Sequence, residues 1–211
     1  MTKTTARMVN MVEAIDNYRL DFRDQDVIPD WLHVIRDKAM NTFETLGLPT
    51  RRRGNEKWKY TNIAPIARNS FNLAQKVDVG LESIKKVAPW DDAWTNLVFV
   101  NGFYNKDLSS SLDQTPYLVS LSDVIKLDDG GLEILKSIGN YIDYSDDGFA
   151  ALNTAFLRDA MVVNIPEAVT VERPVNVIFY NCGIESTVNY PRIFLIANRN
   201  SRVSVIESYV G

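Results

Sequence analysis

The sequence predicts an α+β chain, helical towards its N-terminus and built from stacked short strands towards its C-terminus. Three observations predict it. Before Gly47, apolar residues recur at three- and four-residue steps, the period of a helix with one buried face. After Ala160, four short runs rich in β-branched and aromatic side chains follow one another: Met161–Ile165, Val175–Tyr180, Arg192–Ala197 and Val203–Glu207. Between the runs stand Pro166, Pro174, Asn181-Cys182-Gly183, Pro191 and Asn198–Ser201. Proline cannot donate to a ladder, and glycine and asparagine tolerate positive φ, so each of these is a corner.

In chain order, the first helix is expected over residues 5–22, where Met8, Met11, Val12, Ile15, Tyr18 and Phe22 share a face. Asp24 to Asp26 break that pattern. A second helix is expected over Asp30–Leu46, with Leu32, Ile35, Ala39, Phe43 and Leu46 as its apolar stripe. Asp30 is placed to accept from the first free amides, Gly47 suits a left-handed cap, and Pro49 forbids continuation. The segment Arg51-Arg52-Arg53-Gly54-Asn55-Glu56-Lys57-Trp58-Lys59-Tyr60-Thr61 interleaves cations with rings. It reads either as a platform for nucleic acid or as a loop whose two rings anchor on the domain while Lys57 and Lys59 face solvent. Thr61 and Pro65 mark a short helical turn.

A helix is expected around 81–87, then a strand over Leu97–Val100. Asn101-Gly102, with Phe103-Tyr104 beyond, is a hairpin signal because both turn positions accept positive φ. Tyr117–Leu121 reads as a strand. Helices are expected from Gly130 to Ile142, carrying Leu132, Leu135 and Ile138, and from Phe149 to Leu157, with Phe149, Leu152 and Phe156 on one side. The division is then a helical region at 1–75, a mixed α/β connector with a hairpin at 76–157, and the strand stack at 158–211. Within the stack, corresponding runs recur about every thirty residues, compatible with a solenoid coil of two or three strands. A small sandwich satisfies the same pattern. The pattern is still running at Val210-Gly211, so a piece of a larger protein is expected.

With 211 residues, 45% hydrophobic and 24% charged, the composition is that of an ordinary globular protein. A net charge of −4 argues against a general nucleic-acid binder, which needs cations to displace phosphate counterions. Cys182 is the single cysteine, so no internal disulfide forms and a reducing compartment is expected. No apolar run approaches membrane-spanning length, and the acidic N-terminus fits neither a secretory signal nor a transit peptide. A cytoplasmic setting is the expectation.

Catalytic signatures are sparse. The sequence contains no Gly-x-Gly-x-x-Gly, no Gly-x-x-x-x-Gly-Lys and no Gly-x-Ser-x-Gly. His33, the sole histidine, reads as a proton carrier or ligand, or as a residue on the helix's polar boundary. Cys182 reads as a thiolate ligand or as a structural thiol. Asp143, Asp146 and Asp147, like Asp128 and Asp129, lack the alternating spacing of a calcium loop and read as solvated turns. Glu207, inside a strand run, either faces solvent or needs a partner such as Arg202. No residue qualifies as catalytic, cofactor-binding or metal-ligating.

Four strings in order carry a resemblance. They are Gly47-Leu48-Pro49-Thr50 with Glu56–Thr61; Leu97–Gly102 with Leu108-Ser109; Phe149–Phe156; and Pro191-Arg192, Asn200-Ser201 and Val205–Gly211. Together they resemble the N-terminal portion of the SufB/SufD family of iron–sulfur cluster assembly subunits, and its SufD branch in particular. The resemblance implies an N-terminal helical region followed by the first coils of a right-handed parallel β-helix that continues past residue 211. It also implies a non-catalytic scaffold, or accessory, subunit in complex with a SufB-like sister subunit and a SufC-like ATPase. No resident cofactor is expected in this stretch; a cluster would be present only transiently in the full complex, and the residues that handle iron or cluster would lie mostly beyond residue 211. Two departures stand out: Asp159-Ala160 where the family commonly has Asp-Gly, and Arg51–Asn55 as a longer linker. The alternatives are a β-helical carbohydrate-active enzyme with a converging pair of carboxylates, or a generic protein-interaction module. A strand at 203–207 with an open ladder edge predicts self-association through that end.

Overall fold

The computed structural model describes residues 18, 19, 21, 22, 29–50, 56–113, 115–125, 141–183 and 186–211. In chain order its elements are α1 (Asp30–Leu46), a 3-10 turn (Glu56–Trp58), α2 (Ala64–Ala67), β1 (Asn72–Leu73), α3 (Leu81–Lys85), β2 (Thr95–Val100), β3 (Phe103–Tyr104), β4 (Leu118–Ser120), α4 (Leu121–Val124), α5 (Gly148–Ala155), β5 (Met161–Ile165), β6 (Val175–Tyr180), β7 (Thr187–Val188), β8 (Ile193–Ala197) and β9 (Val205–Val210). Of the helix expected over 5–22, only Tyr18, Arg19, Asp21 and Phe22 are described, all helical. The helix expected from Gly130 lies outside the described residues but for Tyr141 and Ile142, and residues 24–26, 51–55 and 128–129 lie outside them too. The chain divides into two units, Met1–Leu73 with Gly139–Leu157 and Ser186–Val188, and Ala74–Ile138 with Arg158–Glu185 and Asn189–Gly211.

The first unit is organised by α1, whose bounds are those the sequence predicts. Its cap differs. Pro29, extended at φ −62°, occupies the cap position, and Asp30 becomes the first helical residue with no side-chain cap bond. Its carboxylate there faces the positive end of the helix dipole. Gly47 takes positive φ, 64°, but with ψ −169° it leaves the helix as extended chain, its N–H donating to Phe43 O at 2.7 Å. The buried face is Leu32, Arg36, Ala39, Met40 and Phe43, while Ile35 is half-buried and Leu46 is exposed. The expected stripe omitted Arg36 because it is charged. It is nonetheless inside: Nε donates to Ala155 O at 2.7 Å, and the guanidinium lies 5.5 Å from the Phe22 ring centre. This cation from α1, set against the last turn of α5, satisfies a carbonyl that α5 cannot, and it meets the negative end of the dipole.

At its other end α5 is capped by Asp147, which accepts from Phe149 N at 3.0 Å and Ala150 N at 3.1 Å. Tyr18, Phe43 and Phe156 meet edge to face between these helices, with centroids 5.4 Å and 6.4 Å apart. The closest approach is Gly148, where a Cβ would stand 2.0 Å from Gly47 O. β1 and β7 form a short parallel pair in the same unit.

The second unit holds two sheets, ordered β3-β2-β6-β9 and β4-β5-β8. The four C-terminal runs do not pair as hairpins. Met161 pairs with Ile193 and Val175 with Val205, both parallel and each about thirty residues on, with Thr170 and Arg202 forming a parallel bridge between them. β2 precedes this series, pairing in parallel with β6 from Thr95↔Val175 to Val100↔Tyr180. The antiparallel pairs are the Asn101-Gly102 hairpin of β2 with β3, and β4 with β5. The last strand begins at Val205 rather than Val203, the position opposite Val175, and runs on to Val210. The expected strand 117–121 ends at Ser120, which instead caps α4, its Oγ accepting from Asp123 N at 3.2 Å.

The core follows from alternation. Leu97, Phe99, Met161, Val163, Ile165, Val175, Val177 and Phe179 form one cluster. Val98, Val100 and Ile178, one residue out of phase, pack on Ile84 and Ala88 instead. With both faces covered, every position of β2 is buried, the continuous apolar pattern of a central strand. On β2's other side, Asn96 N and Val98 N donate to Ser110 Oγ and Ser109 Oγ, each at 2.9 Å. Asn96 O and Val98 O accept from Ser110 N and Asn105 N, each at 2.8 Å. Two serine hydroxyls thus stand in for strand carbonyls and close the ladder on that side.

Candidate functional site

The residues singled out by the sequence are distributed over both units, and each is placed by its local structure. Trp58 and Tyr60 separate. Trp58 is half-buried with its ring 4.9 Å from that of Phe149, and neighbouring Lys57 pairs with Asp146 at 3.1 Å. Tyr60 is 91% exposed, so only one of the two rings expected to anchor does so. Lys59 pairs with Glu56 at 3.5 Å, and its ammonium lies 5.5 Å from the centre of the Tyr60 ring. Every charge in this group is exposed, so these pairs orient the segment more than they stabilise it, about 0–1 kcal/mol each.

The aspartates of 143–147 are structural. Asp143 accepts from Ser145 N at 2.9 Å, and that bond together with the Ser145 side chain holds its carboxyl below the usual range. Asp146 serves Lys57, and Asp147 caps α5. His33 is exposed on α1. Cys182 packs, half-buried, against the Ile84–Ile178 cluster, and burial pushes its thiol above the ordinary value, away from the thiolate. Glu207 faces solvent on β9 and accepts from Tyr209 Oη at 3.0 Å, a partner other than the anticipated Arg202. Among the described residues no three His, Cys, Asp or Glu side chains gather to hold a metal ion, and no helix is long and apolar enough to cross a membrane.

What sequence reasoning missed are the polar groups that hold backbone in place. Asn101, at φ 52°, donates through Nδ2 to Gln75 O at 3.0 Å and accepts at Oδ1 from Cys182 N at 2.9 Å. The hairpin turn therefore also braces the corner after β6. Gly102, at φ +85°, lies against Asn189, and a Cβ there would meet Asn189 Cβ at 2.8 Å. Asp159 is buried and accepts from Tyr104 N and Ala160 N, each at 2.9 Å, tying β3 to the start of β5. Burial raises its pKa; the two amides and Lys76 oppose that rise, and Asp123 adds to it. Asn176 donates to Pro89 O at 2.9 Å and to Asn96 Oδ1 at 2.8 Å, an amide ladder across β6 and β2. The next rung is Ile206, which has no side-chain amide, and Asn176 Oδ1 is buried without a hydrogen bond. An asparagine inside a strand run, out of step with its turn role, is the signal that could have revealed the ladder.

Among the described residues, β8 and β9 are the last strands in their orders, each paired on one side only. Rings meet towards β9 in register: Phe99 tilted against Phe179 at 5.1 Å, then Phe179 stacked on Tyr209 at 4.8 Å. Tyr209 is 65% exposed and Leu195 on β8 50% exposed. An edge of this kind offers unpaired backbone groups together with apolar side chains, which is the chemistry of strand addition. A second feature is a polar cleft of about 640 Å³ in the same unit, lined by Trp94, Tyr117, Asp113, Thr170 and Arg173 among others.

A family model described as the SufBD protein N-terminal region matches residues 24–177. Among curated proteins, the chain is similar to a Synechocystis protein named an iron–sulfur cluster assembly SufBD family protein, 27% identical over 178 residues. That alignment takes in 82% of this chain and 38% of the Synechocystis protein. It is also similar to the Arabidopsis thaliana protein named Protein ABCI7, chloroplastic, at 23% identity over 188 residues, covering 85% of this chain and 38% of that protein. The chain thus spans well under half the length of these relatives.

Proposed function

The chain belongs to the SufBD family, and on that premise we propose that it is part of a SufD-like accessory subunit of iron–sulfur cluster assembly. In this reading it works through docking surfaces, without catalysis of its own, beside a SufB-like sister subunit and a SufC-like ATPase. The observation that carries the reading is the family match across residues 24–177. The name of the Synechocystis relative supports the assembly role. The parallel pairing of β5 with β8 and of β2, β6 and β9 in series supports the first coils of a right-handed β-helix as the scaffold. Cys182 as an unpaired thiol fits a reducing compartment, and the cytoplasm is the proposed setting.

The test is reconstitution. The natural protein that contains this chain, mixed at micromolar concentration with a SufB-like subunit and a SufC-like ATPase from the same organism, is expected to elute with them as one complex. Separate elution of all three would overturn the proposal.

A further inference from the structure

No further inference is drawn: the strongest candidate, the polar cleft of about 640 Å³ lined by the loops that lead into β2, β4 and β6, sets the carboxylates of Asp92, Asp113 and Glu172 beside Arg173, and no buried, unpartnered group among the described residues points into it to say what it would hold.

Discussion

Asp159 is the residue where the fold and its chemistry conflict most openly. Its two accepted amides favour the carboxylate, yet burial outweighs them and its pKa is raised. The sign of the consequence follows. A carboxyl whose folded pKa exceeds its unfolded value stabilises the fold below the unfolded value, and that contribution is lost as pH rises through the folded value. Urea unfolding of wild type and Asp159→Asn should therefore diverge with pH. From about pH 4 towards neutrality, wild type is expected to lose stability relative to the variant. Parallel curves would mean that the buried carboxyl titrates as it does in the unfolded chain. The same residue shows why this level was hard to read from sequence. Asp159, Asn176 and Arg36 are polar, and a pattern search for apolar faces sets polar residues outside. Their burial is decided by partners far along the chain: Tyr104 N, Asn96 and Ala155 O.

Elements were more legible than residues, for a physical reason. α1 and the strands β5 and β6 have the bounds the sequence predicts, because strong apolar runs there are bounded by Gly47, Pro166, Pro174 and Asn181. Where a boundary moved, a long-range register or a cap moved it. β9 starts at Val205 because Val175 sets its partner, and β4 ends at Ser120 because that hydroxyl caps α4. The meeting of α1 with α5 was invisible in the sequence, since it depends on Gly47 and Gly148, about a hundred residues apart, lying in contact. Gly148→Ala puts a methyl 2.0 Å from Gly47 O, a clash with backbone that cannot rotate away. The expected cost is about 1–3 kcal/mol, seen as a lower denaturation midpoint with an unchanged slope. A variant as stable as wild type would show that the two helices separate at little cost.

For the molecule as a whole, the sequence revealed an order of strands but not their partners. Recurrence at about thirty residues was compatible with a solenoid or a sandwich, and the structure adds the partners, β5 with β8 and β6 with β9, both parallel. The open sides of β8 and β9, with Tyr209 and Leu195 exposed, lead us to propose that the 211-residue chain self-associates there. Sedimentation should show a dimer at high concentration that Tyr209→Lys weakens. A strict monomer at every concentration would remove the proposal. The reading of His33 and Cys182 as structural, and of the subunit as a scaffold without its own reacting group, is tested most directly in cells. In a strain lacking the gene, the full natural protein carrying His33→Ala and Cys182→Ser should restore the activity of iron–sulfur enzymes as fully as wild type. Loss of that activity, with the variant present at wild-type abundance, would contradict the account.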